Sequence, residues 1–231
     1  MPRLWNDLLN LLFPNLCRVC GKPLVKGEEQ ICLHCLLDLP QTRFHLLEGV
    51  NPVEQLFYGL VPIAHALSFY YYQKEGPVQK LIHSLKYYDN KELGFRLGHL
   101  AAQELQRVRH PICQVDYLIP VPLHPKKKRM RGYNQTEWIA KGIQSVWGCP
   151  VLPDALQRVM FTESQTRKSW SERRESITKA LFRSAGSVPL EGKHVLIIDD
   201  VITTGTTIRA CAEALSEATE LRISLFSLAF V

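Results

Sequence analysis

The stretch VLIIDDVITTGTT, residues 195–207, decides the fold class and carries most of the functional information in this chain. Its first four residues are apolar without interruption, which is typical of a parallel strand that is covered on both faces. Two adjacent acids follow, Asp199 and Asp200, and then the hydroxyl-rich run Thr203–Thr207. Apolar residues at helical spacing come next and predict a helix over 207–218. The order is therefore a buried strand, a polar loop and a helix.

Strands and helices also alternate in the rest of the chain after residue 45. Apolar runs predict strands at 64–72, 116–122 and 222–231, and helical periodicity predicts helices at 77–88, 93–107 and 136–146. This alternation predicts an α/β fold with a mainly parallel sheet flanked by helices. Pro40 and the polar segment QTRFH mark a boundary. We therefore expect two units, residues 1–45, with an N-terminal helix and a small cysteine-containing module, and residues 46–231.

The polar part of the motif is suited to a sugar phosphate. Ligands of parallel α/β sheets bind beyond the carboxyl ends of the strands, where the motif places its polar residues. The following helix begins with unpaired N–H groups that attract a phosphate, and Gly205 permits a positive φ and close backbone approach. The two carboxylates would repel a phosphate, but they accept hydrogen bonds from sugar hydroxyls or hold Mg²⁺ through water. The motif therefore predicts a site for a ribose 5-phosphate.

Other interpretations of the motif explain less of it. No Lys follows the Gly of this loop, as a Walker A motif requires, and G-x-G-x-x-G is absent from the chain. A helix capped by Thr206 or Thr207 would account for one hydroxyl. It would not account for two acids beside three further threonines.

Four of the seven cysteines form two C-x-x-C pairs near the N-terminus, Cys17 with Cys20 and Cys32 with Cys35. Two such pairs, about a dozen residues apart, can direct four thiolates at one Zn²⁺ ion. The alternatives are disulfides, which a reducing cytoplasm disfavours, and redox-active pairs, although neither pair opens a βαβ unit. Four protein ligands leave no position for water, so this zinc would be structural. His34 lies between two better-placed cysteines, and we expect it at the surface.

The motif at 195–207 resembles the phosphoribosyl-pyrophosphate (PRPP) motif of type I phosphoribosyltransferases. A longer order of segments is similar to the ComF family: LLFPNLC, the four cysteines, LIHSLKYYDN, DYLIPVPLHPKKKRMRGYNQ and SQTRKSWSERRESITKAL. The resemblance implies a type I phosphoribosyltransferase fold with a small N-terminal zinc module. It also implies a link to the uptake or use of external DNA.

The same resemblance implies roles for individual residues. Asp199 and Asp200 would contact the ribose hydroxyls, directly or through Mg²⁺, and the loop would hold the 5′-phosphate. The implied PRPP-binding set is Asp199, Asp200, Thr203, Thr204, Gly205, Thr206 and Thr207. Arg129, Arg131 and Gly132 would belong to the pyrophosphate loop, where fixed cations stabilise a departing pyrophosphate, and Arg131 would join the two acids in catalysis. Gln165 and Arg173 would lie in a flexible loop that closes over the ligand.

Two segments leave a second use open. The basic run KKKRMR at 126–131 could follow a DNA backbone as well as bind pyrophosphate. The aromatic residues of 69–88, interleaved with lysines, could stack on single-stranded DNA, although strand alternation places half of them in the core. The function is therefore either phosphoribosyl transfer from PRPP to an acceptor or a non-catalytic role in DNA uptake. In the second case the protein would be a single-stranded DNA-binding or regulatory module, with a DNA-uptake helicase as a partner.

Composition adds two expectations. The formal net charge of +6 is a weak indication of anionic partners. The apolar N-terminal run LWNDLLNLLFPNL is interrupted by polar residues and Pro14, and it is shorter than the ~20 apolar residues of a membrane span. It also lacks a small-residue cleavage site. We therefore expect no membrane span and a cytoplasmic location.

Overall fold

The computed structural model describes residues 14–87, 90–158, 182–184, 189–216 and 218–231. The strands in these ranges are β1 (His65–Tyr71), β2 (Tyr117–Pro120), β3 (Leu156–Arg158), β4 (Phe182–Ser184), β5 (His194–Ile202) and β6 (Arg222–Phe230). The α-helices are α1 (Leu33–Leu37), α2 (Pro52–Gln55), α3 (Pro77–Tyr87), α4 (Lys91–Arg107), α5 (Pro125–Arg131), α6 (Gln135–Trp147) and α7 (Thr206–Leu215). Short 3-10 helices lie at Phe44–Leu46 and Pro111–Cys113.

The main sheet has the order β1-β6-β5-β2, and all of its strand pairs are parallel. The predicted α/β fold with a parallel sheet flanked by helices is therefore confirmed. The central strands are apolar on both sides, and the side chains of 195–198 are fully buried. Such continuous burial is what helices on a parallel sheet impose on its strands.

Neighbouring segments cover both edges of the sheet. On the β1 edge, Tyr71 N–H donates to Pro40 O at 2.8 Å, and Thr42 N–H donates to Phe69 O at 3.0 Å. On the β2 edge, Leu118 accepts from Leu152 N–H at 2.8 Å and donates to Pro150 O at 2.9 Å. These contacts satisfy backbone groups that an open edge would expose to other chains.

Helices α4 and α6 cross so closely that their backbones touch. A Cβ atom added to Gly98 would lie 2.2 Å from the carbonyl oxygen of Ile139, and one added to Gly142 would lie 2.1 Å from that of Phe95. Only glycine fits at both points of the crossing. Helix α6 also contacts β2 and β5, which places its first turn beside the ends of these strands.

Three features differ from the sequence-based expectations. Strand β5 continues to Ile202 instead of ending at residue 198, because β6 pairs with it as far as Phe230. Strands β3 and β4 form an antiparallel hairpin that the sequence did not indicate. The basic run, expected as a loop, forms helix α5. The predicted N-terminal helix falls within residues 1–13, outside the described residues.

The helical form of the basic run has a local explanation. Pro125 occupies its first turn, where a missing N–H costs nothing, and His124 Nδ1 accepts from Lys126 N–H at 3.3 Å. Gly132 ends the helix in the left-handed conformation, and its N–H donates to Lys128 O at 2.9 Å. Lys and Arg are good helix formers, so the charge run itself does not oppose the helix.

None of the helices in the described ranges has the length and apolar composition that crossing a bilayer requires.

Candidate functional site

The two acids of the motif lie where the neighbouring strand β2 has already ended. The last pair between β2 and β5 joins Pro120 to Ile198, and Val121 N–H still donates to Ile198 O at 2.9 Å. Asp199 and Asp200 follow on β5, where Asp199 is paired with Ser227 of β6 on the other side. Although they belong to the strand, they therefore border the opening left by the end of β2. Asp199 is half-buried and Asp200 is buried, because adjacent strand residues point to opposite faces.

The Thr-rich segment forms the turn that joins β5 to α7. Gly205 has a φ of 71° and is the N-cap of the helix, which confirms the predicted positive φ. Thr203, Thr204 and Thr206 are exposed, and the hydroxyls of Thr204 and Thr206 lie 2.9 Å apart. The helix begins at Thr206 without a side-chain cap, so its first N–H groups remain available to an anion. The alternative in which Thr206 or Thr207 caps the helix is wrong.

The carboxylate of Asp200 is the meeting point of three distant segments. Its Oδ2 atom accepts from Lys86 Nζ at 2.9 Å and from Gln135 Nε2 at 3.0 Å. Gln135 Oε1 in turn accepts from Arg131 Nη1 at 3.1 Å. The guanidinium of Arg131 lies 5.5 Å from the ring centre of Tyr87, which follows Lys86 in the chain. An acid of the motif is thus connected to the last residue of the basic helix.

The charges around the acids are unequal. Burial and the neighbouring Asp200 carboxylate raise the pKa of Asp199, while the Asp200 N–H, which donates to Asp199 Oδ1 at 2.8 Å, and the Lys86 ammonium oppose them. On the other side, the Cys211 thiol of α7 is fully buried, and burial and the charge of Asp199 raise its pKa. Asp199 therefore lies in surroundings that disfavour its negative charge unless a cation or hydroxyl donor approaches it.

The remaining basic residues of α5 point to solvent. Lys126, Lys127 and Arg129 are exposed, and Lys128 Nζ lies 3.4 Å from Glu137 Oε1 at the surface. Arg131 alone among the predicted pyrophosphate-loop cations reaches the acids through described contacts. Gly132 is exposed, and its role is the left-handed end of α5.

The aromatic segment divides between the core and the surface. Phe69 and Tyr70 are buried, whereas Tyr87 is 63% exposed. The centre of the Tyr87 ring lies 4.6 Å from that of His83. The same Tyr87 ring also contacts the guanidinium of Arg131. The exposed rings of His83 and Tyr87 therefore form a row of planar groups with the half-buried guanidinium of Arg131, the last residue of α5.

The four N-terminal cysteines converge on one point. Their Sγ atoms all lie within 4.8 Å of one another, and those of Cys20 and Cys32 are 3.8 Å apart. Zn–S bonds of about 2.3 Å place tetrahedral thiolates roughly 3.8 Å apart. Burial raises the pKa of Cys17, but the backbone N–H groups of Cys20, Cys32 and Val19 outweigh this effect. The pKa of Cys17 is therefore lowered to about 6. The cluster could therefore hold a metal ion such as zinc.

The rest of the cysteine module is consistent with this geometry. Gly21 has a φ of 72°, and its N–H closes a turn onto Cys17 O at 2.9 Å. His34 is exposed and pairs with Asp38 at 3.4 Å, so the expectation that it is a surface residue is confirmed. None of the seven cysteines forms a disulfide bond.

The module is fixed to the α/β part near the acids. Lys80 Nζ on α3 donates to Val19 O at 3.1 Å. Gln30 donates to Glu92 at 3.0 Å and accepts from Asn90 Nδ2 at 2.8 Å, at the junction between α3 and α4. The cysteine module therefore contacts α3 near its start and the beginning of α4.

Some functional candidates were missed or cannot be located. Lys86 and Gln135 contact Asp200 directly, yet the sequence motifs gave them no role at the site. Both lie in segments that carry the ComF resemblance, LIHSLKYYDN and RGYNQ, which is the signal that could have drawn attention to them. Gln165 and Arg173, predicted in a flexible loop, lie outside the described residues.

Comparison with known proteins shows what the chain is similar to. Residues 151–229 match the phosphoribosyl transferase domain family. DNA utilization protein YhgH of Escherichia coli O157:H7 is 29% identical over 224 residues, which cover 89% of this chain and 92% of that protein. Competence protein F of Haemophilus influenzae is 29% identical over 134 residues, 58% of each chain. Competence protein ComFC of Bacillus subtilis is 28% identical over 100 residues, 43% of this chain and 38% of that protein. The chain is therefore similar to the phosphoribosyl transferase domain family over residues 151–229, to DNA utilization protein YhgH along most of its length, and to competence proteins F and ComFC along part of it.

Proposed function

We propose that this protein binds PRPP or a related ribose phosphate together with Mg²⁺. The observation that carries the proposal is the placement of Asp199 and Asp200 near the end of the strand that leads into a glycine turn and an uncapped helix start. The acids would accept hydrogen bonds from the ribose hydroxyls, and Thr203–Thr207 would hold the 5′-phosphate. Mg²⁺, when bound, would neutralise charge between the acids and the pyrophosphate.

The basic side of the site would serve the pyrophosphate. Arg131 is directed at Gln135 and connected through it to Asp200, so its cation belongs to the same constellation as the acids. Arg129 would act with it, and Gln165 and Arg173 would contribute from the segment outside the described residues. Transfer of the phosphoribosyl group to an acceptor would then depend on stabilising the departing pyrophosphate, with Asp199, Asp200 and Arg131 in the catalytic roles.

The DNA-related function is the second part of the proposal. Relatives that match most or part of the chain are named for DNA utilization and competence. The exposed rings of His83 and Tyr87, in a row with Arg131 and close to the other cations of α5, offer both stacking and charge to a single strand. In the alternative to phosphoribosyl transfer, the protein would be a non-catalytic single-stranded DNA-binding or regulatory module of the DNA-uptake machinery, with a helicase as a partner.

The cysteine module complements this proposal. The four thiols would hold one structural zinc ion, and residues 1–45 would form a unit beside the phosphoribosyltransferase-like unit 46–231. The thiolates would have to stay reduced to hold zinc, and we therefore place the protein in the cytoplasm as part of the same proposal.

Calorimetric titration tests the two parts together. We expect PRPP to bind only with Mg²⁺ present, and single-stranded DNA to bind in a second titration. Because Arg131 belongs to both surfaces, saturating PRPP should weaken DNA binding. No binding of PRPP with Mg²⁺ at millimolar concentration would contradict the first part, and no binding of DNA would contradict the second.

A further inference from the structure

Two donors from different helices converge on one oxygen of Asp200. Lys86 Nζ comes from the last turn of α3, and Gln135 Nε2 comes from the first turn of α6. Both bond to Oδ2, while no described residue donates a hydrogen bond to Oδ1. Asp200 is only 5% exposed, so water cannot replace these donors freely. The protein therefore holds the carboxylate through Oδ2, and Oδ1 remains able to accept a hydrogen bond from a ligand.

Gln135 has only one amide orientation that satisfies its surroundings. Its buried side chain must donate through Nε2, because Asp200 Oδ2 can only accept, and it must accept through Oε1, because Arg131 can only donate. Gln135 is itself placed by the helix start, where Asn134 and Thr136 both bond to Val121 O, at 3.1 and 2.8 Å. This partner of Asp200 is thus fixed by the loop that follows β2.

The position of Lys86 at the end of α3 is set by contacts that nearby residues of the same helix make. Tyr133 OH donates to Leu85 O, which ties the end of α3 to the segment between α5 and α6. Two turns earlier on the same helix, Lys80 contacts the cysteine module instead. The Lys86 side chain is 25% exposed, so its ammonium reaches the acid from the rim of the site and not from the deep core.

We propose that Lys86 is a positioning residue for the ribose-binding acid, an inference that rests on the proposed binding of a ribose phosphate. Lys86 and Gln135 hold Oδ2 of Asp200 on the protein side, so that Oδ1 faces the ribose hydroxyls in a fixed orientation. Without the ammonium, the buried carboxylate keeps its charge only at a high cost and turns toward solvent. The ribose part of the ligand then loses its acceptor, whereas the 5′-phosphate turn is unchanged.

This role differs in its consequences from a purely structural ion pair. A structural pair would affect folding and would weaken all ligands of the site to the same extent. A positioning role weakens a ligand that carries ribose hydroxyls and leaves inorganic pyrophosphate unaffected. It is also restored by a side chain that keeps the charge and the hydrogen bond, because only the placement of Asp200 is required.

The test compares Lys86→Met, Lys86→Arg and the control Lys80→Met by calorimetric titration with ribose 5-phosphate and, separately, with inorganic pyrophosphate, both with Mg²⁺. The control removes a cation from the same helix at a position that does not contact the acids. We expect Lys86→Met to lower the affinity for ribose 5-phosphate at least about tenfold, since it removes one partner of a buried charged pair. Pyrophosphate affinity should stay within about twofold of the wild type, and Lys86→Arg should recover most of the ribose 5-phosphate affinity.

The outcomes separate this inference from the proposed function. If the wild type binds ribose 5-phosphate and Lys86→Met binds it equally well, the inference is overturned while the proposed function stands. Equal weakening of both ligands, or no recovery in Lys86→Arg, would also overturn it in favour of a structural pair. If the wild type binds neither ribose 5-phosphate nor PRPP, the proposed function fails first. Should Lys86→Met not fold, which circular dichroism would show, Lys86→Gln is titrated in its place against the same criteria.

Discussion

The ring of Phe57 closes the space beneath Gly205. A Cβ atom added to Gly205 would lie 2.9 Å from Cζ of Phe57, and the backbone there has a φ of 71°. Phe57 is itself buried and follows α2, so the segment after α2 supports the turn between β5 and α7 from below. Glycine is needed at this position for two separate reasons, the left-handed conformation and the missing side chain.

The first prediction separates these two reasons. Gly205→Ala should lower the free energy of unfolding by roughly 2 to 3 kcal/mol, because strain in φ adds to a clash with an aromatic ring. Gly192→Ala is the matched control, since Gly192 has a φ of 67° and nothing within 4 Å of its added Cβ. That control should lose only about 1 kcal/mol. Urea denaturation of both variants measures the difference, and equal losses would show that the Phe57 contact is unimportant.

Phosphate binding by the turn Thr203–Thr207 should also depend on residue 205. In Gly205→Val the larger side chain displaces the turn as well as straining it, so PRPP binding should disappear even in the fraction that stays folded. The Gly192→Ala control should bind PRPP as the wild type does. Calorimetric titration below the melting temperature checks this, and retained binding in the Val variant would place the phosphate elsewhere.

The sequence predicted those features that depend on local pattern. Continuous apolar runs identify β5 and β6, and the two C-x-x-C pairs identify a metal-binding geometry, because both depend on residues close together in the chain. The positive φ of Gly205 was also foreseeable, since few other residues allow it. These local features determine the fold class and the position of the acids.

The partners of Asp200 could not be predicted in this way. Lys86 and Gln135 reach the acid only after α3 and α6 have packed beside the end of β2, and no spacing in the sequence encodes that meeting. The basic run was expected as a loop because a charge run resembles one, although its caps, Pro125 and Gly132, were both visible in the sequence. The extension of β5 to Ile202 depends on the length of its partner β6.

A second prediction concerns the cysteine cluster. The purified protein should contain about one zinc ion per chain, and Cys32→Ser should lose most of it, because three remaining thiolates bind the ion less tightly. Cys149→Ser is the matched control, a half-buried cysteine outside the cluster. Metal analysis gives the content, and thermal melting should show a lower midpoint for Cys32→Ser only. Absence of zinc from the wild type, or seven freely reactive thiols, would contradict the prediction.

A third prediction tests the DNA surface on α5. Replacing Lys126, Lys127 and Arg129 by Gln removes exposed cations without breaking the contact between Lys128 and Glu137. Affinity for single-stranded DNA should fall, and its dependence on salt should flatten by about one unit of slope for each phosphate that α5 no longer neutralises. The fold should be unaffected, since these side chains are at the surface.

The control for that surface removes charge elsewhere. Lys22 and Lys26 are exposed in the cysteine module, and replacing both by Gln should leave the salt dependence nearly unchanged. If both sets of variants bind DNA as the wild type does, the strand does not use α5. Replacing Tyr87 by Ala would then test the exposed ring as the main contact, with a loss of about 1 to 3 kcal/mol expected from stacking.

The last prediction contrasts the two acids by stability and pH in the absence of Mg²⁺. Burial and the Asp200 carboxylate raise the pKa of Asp199, against the effect of Lys86. A carboxyl whose pKa is higher in the folded chain holds its proton more tightly when folded. Its contribution to stability is therefore present at low pH and is lost as the pH rises from the ordinary carboxyl range near 4 through the raised value. The other titratable group facing Asp199 is the Cys211 thiol, itself influenced by Arg158.

Asp199→Asn should consequently be as stable as the wild type at pH 8 or more stable, and its stability should change less between pH 5 and pH 8. Asp200→Asn should behave in the opposite way. It leaves the Lys86 ammonium without its carboxylate partner, so we expect a loss of roughly 2 kcal/mol at pH 8. Both variants should lose PRPP binding with Mg²⁺, because each removes a charge from the ribose side of the site. Urea denaturation at the two pH values and calorimetric titration at pH 8 give the comparison. If both variants bind PRPP as tightly as the wild type, the acids do not serve a ribose phosphate, and if Asp199→Asn is the less stable of the two, the raised pKa of Asp199 is wrong.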